Sequence, residues 1–191
     1  TSDLSASGVT LHPRPHLCRW PDNNPIAPLE LMLHHASLCL PVPDAAILLE
    51  SAVNLKKVTL DDARAIVDQL PHHRRLALSR IGSAAQSGTE TKVRWFLESR
   101  HVQVQAQPLI EGVGHVDLLI GESLVIECDS VRYHTDPAQY REDHRRDIEL
   151  TRLGYRTIRL TWEDVCLNWE ATKERLLGIL ATRRHRYLRP N

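Results

Sequence analysis

Residues 112–130 read GVGHVDLLIGESLVIECDS. Two apolar runs, VDLLI and LVIECD, flank Gly121-Glu122, and that spacing predicts two strands joined by a hairpin-like turn. Acids stand inside both runs: Asp117 in the first, Glu127 and Asp129 in the second. Alternation puts Glu127 and Asp129 on one face and Ile126 and Cys128 on the other. Acids at strand centres are disfavoured, and burying one without a partner costs several kcal/mol, roughly. Antiparallel pairing through the short turn brings Asp117 level with Glu127 or its neighbour, so three carboxylates converge. Like charges this close share protons or bind a cation. Hard oxygen donors suit Mg²⁺ or Mn²⁺. The same acids are also served by a buried network with Arg94, Arg145, Arg146 or Arg159.

Outward from this hairpin, the pattern is α/β. Ser87-Gly-Thr-Glu90 is a capping-box sequence opening the helix TKVRWFLESR, and HVQVQAQ then alternates as a strand. Val102, Val104 and Ala106 fall on one side of it, with Gln103, Gln105 and Gln107 on the other. Asp136-Pro137 starts a helix that runs to Gly154. YRTIRLTW is a fourth strand, and 168–185 a closing helix. The order is α-β-β-β-α-β-α. Upstream, residues 29–84 are helical: Leu29, Leu33, Ala36 and Leu40 share a face, Asp44 caps a second helix, Thr59 caps a third with Asp62, and 73–81 is a fourth. Residues 1–28 form a Pro-rich arm. The expected organisation is therefore arm 1–28, helical region 29–84, and an α/β domain 85–191.

Composition excludes several classes. The chain has 191 residues, 42% of them hydrophobic, with 24 basic against 24 acidic side chains, which argues against disorder. No apolar run approaches the roughly 20 residues of a membrane span. Arg outnumbers Lys 20 to 4; this suits phosphate recognition and is equally explained by genomic base composition. Cys18, Cys39, Cys128 and Cys166 form no CxxC pair, so a zinc knuckle is not expected. Three of them lie in apolar runs, where thiols behave as small hydrophobes, and the expectation is a reduced, cytoplasmic protein. The chain opens at Thr1 without Met, which predicts a further domain upstream.

The strand acids, in this order of elements, resemble the PD-(D/E)xK nuclease superfamily. The stretch from SGTETKVRWFL to TIRLTWEDV is similar to Vsr-like relatives of very-short-patch-repair endonucleases. The residues that carry the likeness are Glu90, His115-Val116-Asp117, Ile126-Glu127-Cys128-Asp129 and Tyr133-His134, then Tyr140 through Asp147, Leu153-Gly154-Tyr155, and Ile158 through Trp162. The resemblance implies a restriction-endonuclease-like αβββαβ core with a mixed central sheet, preceded by a small helical region. It also implies Mg²⁺ or Mn²⁺, DNA as partner, and an upstream winged helix like that of an AbiEi-type antitoxin. Two positions depart from the pattern. Asp129 stands where the superfamily usually has Lys, and Ser130 where the family commonly has Gly.

Roles follow for a phosphodiesterase. Asp117 and Glu127 are the expected metal ligands. Asp129 is a ligand through water or the base that orients the attacking water. His134 supplies a proton to the leaving oxygen, or is an ordinary loop histidine. Glu90 reaches the site from the helix beneath the sheet, although its capping position explains it equally well. Asp143, Arg146 and Asp147 fit a surface salt-bridge face. Arg159 is a phosphate contact or a partner for one of the acids, and Trp162 is expected in the core. Arg183, Arg184 and Arg186, around Tyr187, suit a nucleic-acid backbone, and equally suit a solvated helix end. The expected function is a metal-dependent DNA endonuclease of repair or defence; the alternative is an inactive DNA-binding or regulatory module that keeps the fold.

Overall fold

Four helices open the structure: α1 Leu29–Cys39, α2 Val42–Asn54, α3 Leu60–Asp68 and α4 His72–Leu78. A computed structural model describes residues 26–129 and 137–187. Ser130, His134, Asp136, Cys18, Arg189 and nearly all of the Pro-rich arm lie outside those residues. The capping box of α3 forms as expected, with Thr59 Oγ1 accepting from Asp62 N at 3.1 Å and Asp62 Oδ2 from Thr59 N at 2.9 Å. Helix α2 starts at Val42, not after Asp44, because Pro43 suits a first helical turn; Asp44 instead sits in that turn. In α1 the buried positions are Leu31, Leu33 and Ser37, while Leu40 ends the helix exposed.

Helix α5, Gly88–Glu98, lies between two cores. Trp95 packs with Leu33, Leu49, Ile66 and Leu78 of the helical region. Val93 and Leu97 pack against the sheet. Glu50 of α2, buried to 1% exposure, is tied to α5 by an ion pair with Arg94 and a 2.8 Å hydrogen bond from Thr91 Oγ1. Gly82 N at 3.1 Å and Trp95 Nε1 at 3.4 Å also donate to it. A carboxylate this deep is tolerated because donors surround it.

The main sheet contains β1 Val104–Ala106, β4 Leu118–Ile120, β5 Leu124–Asp129 and β6 Arg156–Thr161, in the order β1-β4-β5-β6. The β1–β4 and β4–β5 pairs are antiparallel and β5–β6 is parallel, so the sheet is mixed. Helix α6, Pro137–Arg152, connects β5 to β6 as a parallel pair requires. Leu118, Ile120, Ile126 and Leu160 face α5 and the later helix α8, Trp169–Ala181. Leu119 and Val125 face Leu150 of α6. Helices on both faces of a mixed sheet, after a helical region, make the expected α/β restriction-endonuclease-like architecture.

Several local expectations are corrected. The strand expected before Gly121 breaks into β3 Gly114–His115 and β4, and β3 pairs with a short β2, Leu109–Ile110, in a sheet of its own. Positive φ at Gln107, Gly112 and Gly114 turns the chain there. An extra helix α7, Trp162–Cys166, follows β6, capped by Thr161 and Asp164, and the closing helix ends at Ala181 rather than 185. Trp162 is 45% exposed, because it begins α7 instead of continuing β6 into the core. Among the described cysteines only Cys128 is buried; Cys39 and Cys166, near helix C-termini, are exposed. Among the described residues, no helix is long and apolar enough to cross a membrane.

Candidate active site

The register Leu118↔Ile126, continued by one residue, sets Asp117 opposite Glu127. The two residues interlock across the strands. Asp117 N donates to Glu127 Oε2 at 3.2 Å, and Cys128 N donates to Asp117 Oδ2 at 2.7 Å. The pairing that was expected from the hairpin turn is therefore present. Gly121 holds the turn's far end: its φ is +60°, and a Cβ there would meet His185 O at 2.5 Å.

A third carboxylate joins through an amide. Glu90 is 4% exposed. Ser87 Oγ accepts from Glu90 N at 3.1 Å, the first half of a capping box. The Glu90 carboxylate leaves the second half unmade and accepts from Gln86 N at 2.9 Å instead. Its Oε2 also accepts from Gln107 Nε2 at 2.9 Å, and the same Nε2 donates to Asp117 Oδ1 at 3.1 Å. Gln107 thus bridges the helix acid and the strand acid. It sits at φ +52°, and its backbone N donates to Asp117 O at 2.8 Å. A non-glycine residue in the left-handed region costs energy and gathers at functional sites. The Gln103/Gln105/Gln107 alternation conceals this role; the signal available in sequence was Gln-Pro directly after the strand, a turn marker.

The electrostatics match the crowding. Burial, and then the Asp117 charge, push the Glu127 carboxyl up to about 7. Burial is likewise the main cause holding the Glu90 carboxyl above its usual range, with Asp117 contributing. The buried Cys128 thiol is pushed far up by burial and then by the surrounding acids, so it is an un-ionised wall of the site and no nucleophile.

Arginines reach the outer acids. Arg146 Nη2 lies 3.2 Å from Glu127 Oε1 and donates to His115 O at 2.6 Å. Arg159 Nη1 lies 3.6 Å from Asp129 Oδ1, and Nη2 is 2.6 Å from Asp147 Oδ1. The expected surface face on α6 is therefore corrected: Arg146 and Asp147 point across to the sheet, because α6 packs over the strand face that carries Glu127 and Asp129. Arg94 pairs with Glu50 and Glu98, and Arg145 with Glu142, away from the site.

The structure thus brings together Glu90, Asp117 and Glu127, with Arg146, one of the four arginines expected as partners for the acids, on Glu127, and with Gln107, which the sequence reading does not single out. Asp129 and Arg159 form the more exposed flank. His134 lies outside the described residues. Arg183, Arg184 and Arg186 stand at the opposite end of the sheet, against the 121–123 turn, where Ser123 Oγ donates to Arg184 O at 2.9 Å. Among the described residues no group of three or more His, Cys, Asp and Glu is arranged to hold a metal ion. What is present is a two-carboxylate set, Asp117 and Glu127. Mg²⁺ is usually held by one or two carboxylates plus waters and substrate phosphate oxygens. The donor chemistry fits such an ion, since a cation beside both acids offsets the burial and the Asp117 repulsion that together hold Glu127 protonated up to about 7.

The family model REase_MTES_1575, of a restriction-endonuclease-like family, matches residues 90–180. That span runs from Glu90 to α8 and contains every described site acid. The match supports a restriction-endonuclease-like nuclease domain. No curated protein and no solved structure matches the chain.

Proposed function

We propose, from a restriction-endonuclease-like domain over residues 90–180, that this chain is a metal-dependent DNA endonuclease of the Vsr-like type, acting in the cytoplasm in DNA repair or defence. The observation that carries the reading is the interlock of Asp117 and Glu127 across β4 and β5, with Glu127 titrating about neutrality. A structural ion pair has no need of two facing acids; a site for a cation does.

Asp117 and Glu127 would hold Mg²⁺ or Mn²⁺, which would supply Lewis-acid polarisation of a phosphoryl oxygen and easier deprotonation of water. Gln107 sets the orientation of Asp117 and ties it to Glu90, so the ligand oxygens are fixed before substrate arrives. Asp129, 41% exposed and only loosely met by Arg159, orients the attacking water and receives its proton in place of the usual Lys. Arg159 offers its guanidinium to the scissile phosphate as the substrate displaces Asp129 or Asp147 from it. His134 supplies a proton to the leaving oxygen. The test is nicking of supercoiled plasmid with Mg²⁺ or Mn²⁺. Activity should vanish in EDTA and in Asp117→Ala; nicking unchanged in that variant sinks the reading.

One observation favours a second reading, a DNA-binding or regulatory module without turnover. Arg146 already meets Glu127, Arg159 meets Asp129, and Asp129 replaces the usual Lys, so the acids are partly neutralised from within. Calorimetric titration with Mn²⁺ separates the two. The module gives no heat that depends on Asp117 and Glu127, and the enzyme does.

A further inference from the structure

At the other end of β5 the chemistry reverses sign. Residues from the end of α6, the start of β6 and the segment after α8 enclose a groove of ≈ 590 Å³. Arg156, Arg183, Arg184 and Tyr187 line it, with Ser123 and Thr182. The volume lies within the range of small-ligand sites. Arg156 pairs in register with Leu124, three residues before the Glu127↔Arg159 pair, which is about 10 Å along the strand. It shares its face with Ile158 and Leu160, opposite to Arg159, so the groove is remote from the carboxylates.

The basic side chains here are uncompensated. Among the described residues, none of Arg156, Arg183 and Arg184 has a carboxylate partner, whereas Arg94, Arg145, Arg146, Arg152 and Arg159 all do. Arg156 Nη2 is buried without a hydrogen-bond partner. Burial, followed by the charges of Arg186 and Arg156, holds the neighbouring His185 imidazole below its usual range, a sign of local positive potential. Arg183 is held at φ +57° directly after α8, which places it at the groove wall rather than in a continuing helix. Guanidinium groups gathered without acids are matched by a phosphate, and an exposed aromatic beside them by a base. Tyr187, 65% exposed, supplies that ring.

We infer that this groove is a second site that binds a nucleotide unit, its phosphate on Arg156, Arg183 and Arg184 and its base against Tyr187. The phosphate belongs to a free nucleotide or to a nucleic-acid strand, and the site works independently of the metal centre. Arg186 is outside the groove wall and contributes charge only.

Calorimetry on the full chain tests this with dAMP, deoxyadenosine and a short oligodeoxyadenylate. Saturable dAMP binding is expected, weakened about tenfold or more in Arg183→Gln and in Arg156→Gln, with deoxyadenosine weaker by a similar factor. Arg183 is exposed, so its variant should fold, and circular dichroism checks both. Asp117→Ala should leave dAMP binding unchanged, which keeps this result separate from the fate of the nuclease reading. A strand that binds more tightly than dAMP identifies the ligand as nucleic acid; equal affinity identifies it as a free nucleotide. Failure of dAMP and the strand to bind, or affinities that are the same in wild type and both Arg variants, overturns the inference.

Discussion

Glu50 and Glu127 are both acids drawn out of water, and the chain treats them oppositely. Glu50 receives hydrogen bonds from Arg94, Thr91, Trp95 and Gly82, and the one other acid that shares a donor, Glu98, takes the second guanidinium nitrogen of Arg94. Glu127 receives one backbone donor and one guanidinium, and faces Asp117. The first arrangement joins the helical region to α5. The second leaves a carboxyl poised about neutrality at the end of two strands. Saturation with donors marks an acid that holds structure; under-satisfaction beside a like charge marks one open to a cation or a proton.

The sharpest break of this contrast is at the structural pair. Arg94→Ala removes the charge that matches Glu50 and should cost about 3–5 kcal/mol of stability, read as a large fall in denaturation midpoint. Nicking per folded molecule should hold. A change of less than about 1 kcal/mol would mean that the pair is not buried in solution as described. At the other acid pair the sign of the outcome reverses. Asp117→Ala should lower metal-dependent nicking by at least about a hundredfold, since even residues behind a metal's ligands cost tenfold to a hundredfold. Stability should change little or rise, because Glu127 loses a like-charged neighbour.

A pH series measures the burial and the repulsion together. The Glu127 carboxyl moves from an ordinary 4.5 to about 7 in the fold, through burial first and Asp117 second. Between those values the folded protein keeps a proton that the unfolded chain has released. Stability therefore falls as pH rises from about 4.5 to 7, and the loss is complete above that window. Glu127→Gln stays neutral and lacks that slope. It should match the parent near pH 4.5 and exceed it at pH 8 by up to about 3 kcal/mol in denaturant titrations. Parallel curves for the two proteins would show that Glu127 is ionised throughout, held so by Arg146.

Why some of this was legible in sequence and some not has a physical cause. An acid inside an apolar strand advertises itself, and period-two alternation is enough to place Glu127 on the α6 face and Ile126 on the other. The mixed sheet follows from a hairpin followed by a helix and a strand. Arg146 is one of four arginines that the sequence offers the strand acids, but helical spacing also offers it nearer partners on α6, so sequence alone does not select which of the four reaches Glu127. Helix α7 was missed because WEDVC is five residues long and its Thr161–Asp164 cap lies inside an apparent strand end. Gln107 was misplaced because alternation assumes extended backbone, and the chain leaves that conformation at Gln107 itself.

Gln107 also offers the smallest and most discriminating test. Its single carboxamide nitrogen serves both Glu90 and Asp117, and its backbone is held in the left-handed region at a cost of about 1–2 kcal/mol. Gln107→Gly removes the amide and the backbone cost together. The lost hydrogen bonds and the relieved strain oppose each other at similar size, so the melting temperature should move by only a few degrees, about 1 kcal/mol either way. Activity has no such compensation. With the shared donor gone, Glu90 and Asp117 repel, Asp117 loses its fixed orientation, and nicking should fall about tenfold at limiting metal. Raised Mn²⁺ should restore most of that loss, since the ligands themselves remain. A variant that lost stability instead, with nicking per folded molecule untouched, would move Gln107 from the site to the scaffold, beside Glu50.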